Sequence, residues 1–196
     1  MPGTADPLGA LLSIGLGLGL SAACGFRVFV PIFAISLAAL TGHLSLAPSF
    51  SWIGTVPAAL AFGTATVLEV LAYYIPWFDH LLDTVATPSA VVAGMVASAS
   101  VLTDLPPLVK WTVALIGGGG AAGLIQGATV LLRMKSLAFT GGAGNALVAT
   151  VELLGATGTV VLALVVPLLC LIVLTAFCVW AFRRLGRVVF GRPATP

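Results

Sequence analysis

Glu69 and Glu152 each stand alone inside a long apolar stretch. Their surroundings resemble one another: Thr66-Val67-Leu68-Glu69 in one, Thr150-Val151-Glu152 in the other. A carboxylate held in hydrocarbon costs roughly 2.5 kcal/mol or more unless it is paired or wetted. The chain therefore has to fold so that a counter-charge, hydrogen-bond donors or water reach both acids.

The hydrocarbon surroundings follow from the scarcity of charge. Of 196 residues, 60% are hydrophobic and 7% charged, and the mean hydropathy is +1.18. A soluble domain carries about a quarter charged residues. So few charges cannot solubilise a surface of this size, so lipid must solvate most side chains. Many of the 23 glycines fall inside apolar runs, which suits close helix approach and interrupted membrane helices. Cys24, Cys170 and Cys178 also lie in apolar runs, without metal-like or disulfide-like spacing, and read as small buried hydrophobes. Cys24 follows Leu20-Ser21-Ala22-Ala23, a faint likeness to a lipoprotein cleavage box. No Lys or Arg precedes it, so the first apolar run is expected to be retained.

Six hydrophobic elements can be marked, roughly 8–40, 53–75, 88–104, 107–135, 143–166 and 168–190. A perpendicular span takes about 20 residues. The first and fourth elements are longer, and both are interrupted. The first holds Gly15, Gly17, Gly19 and then Cys24-Gly25-Phe26-Arg27; the fourth holds Gly117 to Gly120 and then Gly123. Both are expected to be broken, tilted or re-entrant, because each glycine weakens a helix by about 1 kcal/mol. The third is expected to start at Thr87-Pro88, since proline suits a first helical turn.

With six spans, both termini share one side. That side receives Arg133, Lys135, Arg183, Arg184, Arg187 and Arg192, and the other only Lys110. The excess of basic residues makes that side, and both termini, cytoplasmic. Tyr73, Tyr74, Trp77 and Trp180 then fall near the inner interface, with Trp52 and Trp111 near the outer one.

The order of features repeats. Pro7-Leu8 opens the first element and Pro107-Leu108 the fourth. Each is followed by glycines, paired alanines (Ala22-Ala23, Ala121-Ala122) and a polar residue (Arg27, Gln126), and then by an element carrying a glutamate. Three elements per half is an odd number, so the second half enters from the opposite side. The fold class expected is an all-α polytopic membrane protein. It is one domain over 1–196, with a 3+3 inverted-topology repeat of about 7–104 and 107–190.

Three stretches carry a family resemblance: Cys24-Gly25-Phe26-Arg27…Pro31, the series Glu69…Pro76…Asp79…Asp83…Pro88, and Thr140-Gly141-Gly142-Ala143-Gly144-Asn145…Glu152. Together they resemble a bacterial integral membrane family, domain of unknown function 4126, over nearly the whole chain. The resemblance implies a multi-pass protein of the bacterial cytoplasmic (inner) membrane and no particular activity.

Arg27 is the one basic residue well inside an apolar element, too far from its ends to snorkel. It must meet Glu69, Glu152, backbone carbonyls, an anion or water. If it neutralises one glutamate, the other needs a proton, a cation or donors, and this motivates an expectation of proton or cation coupling. Asn145 follows the turn Gly141-Gly142-Ala143-Gly144, which could aim N–H groups at an anion or be a tight turn only. No Lys-Ser/Thr ending makes it a nucleotide loop. Gly117 to Gly120 reads either as an unwound segment lining a cavity or as close helix packing.

Asp79 and Asp83 share a helical face in a cytoplasmic loop, a gate or a possible Mg²⁺ pair, but lack the second acidic set that prenyl and phospholipid transferases use. His43 and His80 fall on opposite sides. No cofactor is expected, no hydrolase or nucleotide signature is present, and the basic tail at 183–192 suits anionic lipid rather than nucleic acid. The first reading is a small transporter or channel for an ion or small polar solute. Its midplane site at the repeat interface would draw on Arg27, Glu69, Gln126, Asn145 and Glu152, in a possible homodimer. The second is a membrane-embedded lipid-modifying enzyme using Asp79 and Asp83. The third is a structural or assembly protein.

Overall fold

The computed structural model describes residues 7–75, 78–103 and 105–190, without the side chains of 78–83, 182 and 184–190. Among the described residues every regular element is helical. α1 (Pro7–Phe26) and α2 (Phe29–Leu40) are followed by a 3-10 helix (Pro48–Gly54). Then come α3 (Val56–Ala72), α4 (Phe78–Val101) and α5 (Pro107–Thr112). A π-helical turn (Val113–Gly118) joins α5 to α6 (Gly119–Thr140), and α7 (Asn145–Val165) and α8 (Pro167–Phe190) follow.

Four helical stretches are long and apolar enough to cross a bilayer: Pro7–Phe26, Thr84–Val101, the rod Pro107–Thr140 and Asn145–Val165. The 3-10 helix and α3, bent by 67°, would make a fifth as one broken span, while α2 and Pro167–Ala181 are shorter. The chain is a multi-pass helical membrane protein.

Two sequence expectations about elements change. Pro88 lies inside α4 and does not start it. The fourth element is not unwound at its glycines, because the rod Pro107–Thr140 continues through them. Gly118 serves close packing. The Ser21 hydroxyl donates to the Gly94 carbonyl at 2.6 Å. A Cβ on Gly118 would stand 2.9 Å from that same carbonyl oxygen and 3.0 Å from Ser21 Oγ. Only a residue without a side chain lets α1, α4 and α6 cross here.

α1 is the axial helix, packed by α4, α6, α7 and α8. The contacts fix helix directions. Leu18 meets Gly117, Ser21 meets Gly118, and Gly25 meets Ala122 and Ile125, so α1 and α6 run the same way. Gly17 meets Ser98 and Val101 while Ser21 meets Gly94, so α4 runs against α1. α7 also opposes α1, with Gly155 beside Phe26 and Ala163 beside Gly19. α8 returns parallel to α1 from Pro167, which packs on Gly15.

The chain reverses after Arg27. Beyond α2, the Ala47 amide donates to the Ser100 carbonyl at 2.8 Å, back at the level of Gly17. The α2–α3 turn, the end of α4 and the α7–α8 turn therefore share one level.

These directions bear on the expected inverted repeat. An axis in the membrane plane would make α1 and α6 antiparallel; they are parallel, and the matched features Ala22 and Ala121 share one small apolar cluster. The repeated features are side-by-side neighbours, not inverted counterparts. α1 starts at one end of the bundle and α8 finishes at the other, whereas six spans would bring both to one end.

Candidate functional site: a buried two-arginine cluster

The break between α1 and α2 organises the site. Arg27 still donates its amide to Ala23 at 3.1 Å, closing the last turn of α1. Val28 then caps α2 without any side-chain cap of its own. The amides of Val28 and Phe29 are left needing acceptors, as at any helix start. Glu69, on α3, supplies both: Oε1 accepts from Val28 at 2.7 Å and Oε2 from Phe29 at 3.0 Å. A carboxylate at a helix N-terminus is also favoured by the helix dipole.

Glu152 takes the arginines. Its carboxylate accepts from Arg133 Nε at 3.0 Å and from Arg133 Nη2, a two-point ion pair. Arg27 Nη2 lies 3.6 Å from Oε2 of the same carboxylate and donates to the Ala149 carbonyl at 2.9 Å. Arg27 is 1% exposed, and Arg133 and Glu152 are 3% exposed each. Pairing is obligatory at such burial, since a lone buried charge costs several kcal/mol.

Tyr73 completes the cluster. Its ring lies 3.9 Å from the Arg27 guanidinium carbon and 4.1 Å from that of Arg133, both measured to the ring centroid. Both guanidinium groups therefore lie against this one ring. Its negative π system attracts both cations and lowers the cost of placing them together. One turn earlier on the same helix stands Glu69, whose carbonyl accepts the Tyr73 amide. α3 thus delivers the cap and the aromatic spacer together. The neighbouring Tyr74 hydroxyl meets Thr150 Oγ1 at 2.9 Å and ties the end of α3 to α7.

Arg27 retains unused capacity. Its Nε and Nη1 are buried with no hydrogen-bond partner. The cluster sits well inside the bundle. Arg27 is about 15 Å along α1 from the level of Gly17, and Arg133 about 10 Å from the end of α6, at 1.5 Å per residue.

The sequence candidates divide. Arg27 and Glu152 meet, and Glu69 joins them through the α2 start. Gln126 is buried on α6, seven residues or about 10 Å before Arg133, outside the ionic contacts. Asn145 is buried at the first position of α7. The turn before it spends its amides internally, on Leu137, Thr140 and Gly142, with Gly141 and Gly142 at φ 60 and 92. It is a tight turn in which the amides of Gly141, Ala143, Gly144 and Asn145 are used internally.

Arg133 and Tyr73 were missed. The sequence counted Arg133, near the end of the element 107–135, among the bases of the cytoplasmic side, and placed Tyr73 near the inner interface. α6 runs seven residues beyond Arg133, which carries its side chain inside. Arg27 is therefore not the sole buried base. The one available signal was that apolar residues continue past Arg133 to Phe139.

The side chains of Asp79, His80, Asp83, Arg184 and Arg187, and the whole of Trp77, Asp104 and Arg192, lie outside the described residues. Among the described residues no three His, Cys, Asp or Glu side chains gather as metal ligands.

Fold and site together define a helical membrane protein that buries two arginines and a glutamate around one tyrosine. The chain belongs to the family described as Domain of unknown function (DUF4126), which it matches over residues 14–187. No curated protein and no solved structure matches it.

Proposed function

We propose that the protein is a small membrane transporter or channel for an ion or small polar solute, with its site at the Arg27–Tyr73–Arg133–Glu152 cluster. The observation that carries this reading is Arg27: a permanently charged side chain, 1% exposed, at a helix break, with two nitrogens lacking partners. Intramembrane charges of this kind mark ion and solute pathways, and broken helices supply their backbone. The depth of the cluster supports a site near the middle of the membrane. In this reading the halves form a parallel repeat, α1 with α6, about an axis along the membrane normal. Lys135 and Arg183 mark the cytoplasmic end, Lys110 the outer end, and residue 7 faces outward. Localisation to the bacterial inner membrane and pairing into a homodimer belong to the same proposal.

A structural reading has one observation in its favour, the near-complete burial of the ionic groups. Apolar replacement of Arg27, Arg133 and Glu152 together separates the two. Proteoliposomes carrying wild type should show ion or solute flux above empty vesicles. The triple variant should fold, because a buried ion triad can be exchanged for apolar residues at little cost, and lose that flux. A triple variant that folds and conducts as wild type removes the transport reading.

A further inference from the structure

We infer that a water molecule bridges Arg27 to Glu69, so that the cluster is hydrated inside the bundle. The inference rests on the proposed site and adds what fills it. The donors come first. A guanidinium has five N–H groups in one plane. In Arg27 only Nη2 has a hydrogen-bond acceptor, the Ala149 carbonyl. Nε and Nη1 are left without one, on a side chain of a residue 1% exposed. Buried N–H groups that lack a protein acceptor are where internal water is held.

The acceptors come second. An ionised carboxylate offers about four acceptor sites. On Glu69, Val28 takes one site of Oε1 and Phe29 one of Oε2. Arg27 lies beside this carboxylate twice over. Val28 is the next residue in the chain. The Arg27 guanidinium also lies 3.9 Å from the Tyr73 ring centroid, and Tyr73 stands one turn beyond Glu69 on α3, its amide bonded to the Glu69 carbonyl. Arg27 and Glu69 are close enough to interact electrostatically, yet neither Nε nor Nη1 reaches an oxygen directly. Donors and acceptors with capacity to spare, set further apart than one hydrogen bond, are the setting in which a water spans the gap. Hydrogen-bonding capacity alone asks for it, whatever the net charge of the cluster. The bridge links the two glutamates that stand out in the sequence: Glu69 through water to Arg27, and Arg27 to Glu152.

Radiolytic footprinting reads such a water directly. Purified protein in detergent receives a brief X-ray pulse, which turns bound water into hydroxyl radical beside the side chain it touches. Mass spectrometry then locates the oxidation, with fragmentation that separates Tyr73 from Tyr74 and rates corrected for each side chain's intrinsic reactivity. Tyr73 is 6% exposed, and Leu20 and Ile53 in the apolar core are 0% exposed. Wild type should oxidise at Tyr73 and not at Leu20 or Ile53. Arg27→Leu, which removes the donors, should lose the Tyr73 signal down to the rate of those two. A misfolded variant oxidises at all three and cannot mimic that selective loss. If Arg27→Leu does not fold, the triple apolar variant at Arg27, Arg133 and Glu152 is read in the same way.

Tyr73 as silent as Leu20 and Ile53 in wild type, or equally oxidised in wild type and the folded variant, overturns the inference. Its failure is distinct from failure of the transport reading. Selective oxidation of Tyr73 without flux upholds this inference and removes transport. Flux through a protein whose Tyr73 stays silent removes this inference and leaves transport standing.

Discussion

The Glu69 carboxylate holds the amide of Val28 at 2.7 Å, so a residue on α3 starts the helix that follows α1. The cap is tertiary, since α2 carries no capping side chain of its own. Charge-assisted bonds of this kind contribute about 1.5–3 kcal/mol each. Glu69→Ala should lower stability by about 2 kcal/mol or more. Glu69→Gln, which keeps one acceptor oxygen, should lose about half as much. Unfolding of the purified variants in detergent measures both. Equal, negligible losses would mean that the cap does not hold α2.

The Tyr73 ring lies against both guanidinium groups. Tyr73→Leu should cost about 1–4 kcal/mol through two lost cation–π contacts. Tyr73→Phe keeps the ring and should retain the part of that stability that comes from it. A Phe variant as unstable as the Leu variant would show that the ring faces are not the source.

Gly25 and Gly127 should respond in opposite directions. A Cβ on Gly25 would collide with the Ala122 carbonyl oxygen and stand 2.6 Å from Ile125 Cβ, whereas one on Gly127 meets nothing within 4 Å. Gly25→Ala should destabilise by about 1–3 kcal/mol by pushing α1 off α6. Gly127→Ala should stabilise by up to about 1 kcal/mol through helix propensity. The two thermal midpoints, read against wild type, decide it.

Helix direction predicts labelling from opposite sides. Leu8 and Phe139 are exposed near opposite ends of the bundle. Leu8→Cys and Phe139→Cys should react with a membrane-impermeant maleimide from opposite faces of sealed vesicles, with the unsubstituted chain as the blank. Labelling of both from one face would restore the expectation of six spans.

Part of this was legible in the residues alone. Hydropathy located α7 and α8 closely, and the glycines before Arg27 announced the break after α1. The same cue misled at Gly117 to Gly120, where close packing on Gly94 and Ser21 stabilises an unbroken rod. Arg133 was misplaced because a base near the end of an apolar run looks identical whether it snorkels out or turns in. The choice depends on Glu152, nineteen residues away and on another helix.

The sequence by itself determined that the chain lives in lipid, that its helices are near-spanning, and that Arg27, Glu69 and Glu152 each need a partner. These follow from local composition and from the cost of charge in hydrocarbon. Only the tertiary structure decided who partners whom: Glu152 with two arginines, Glu69 with the start of α2, Tyr73 against both cations. It also decided that α1 and α6 run side by side in one direction. Contact register between helices sets those choices, and hydropathy, which is the same whichever way a helix points, carries no record of them.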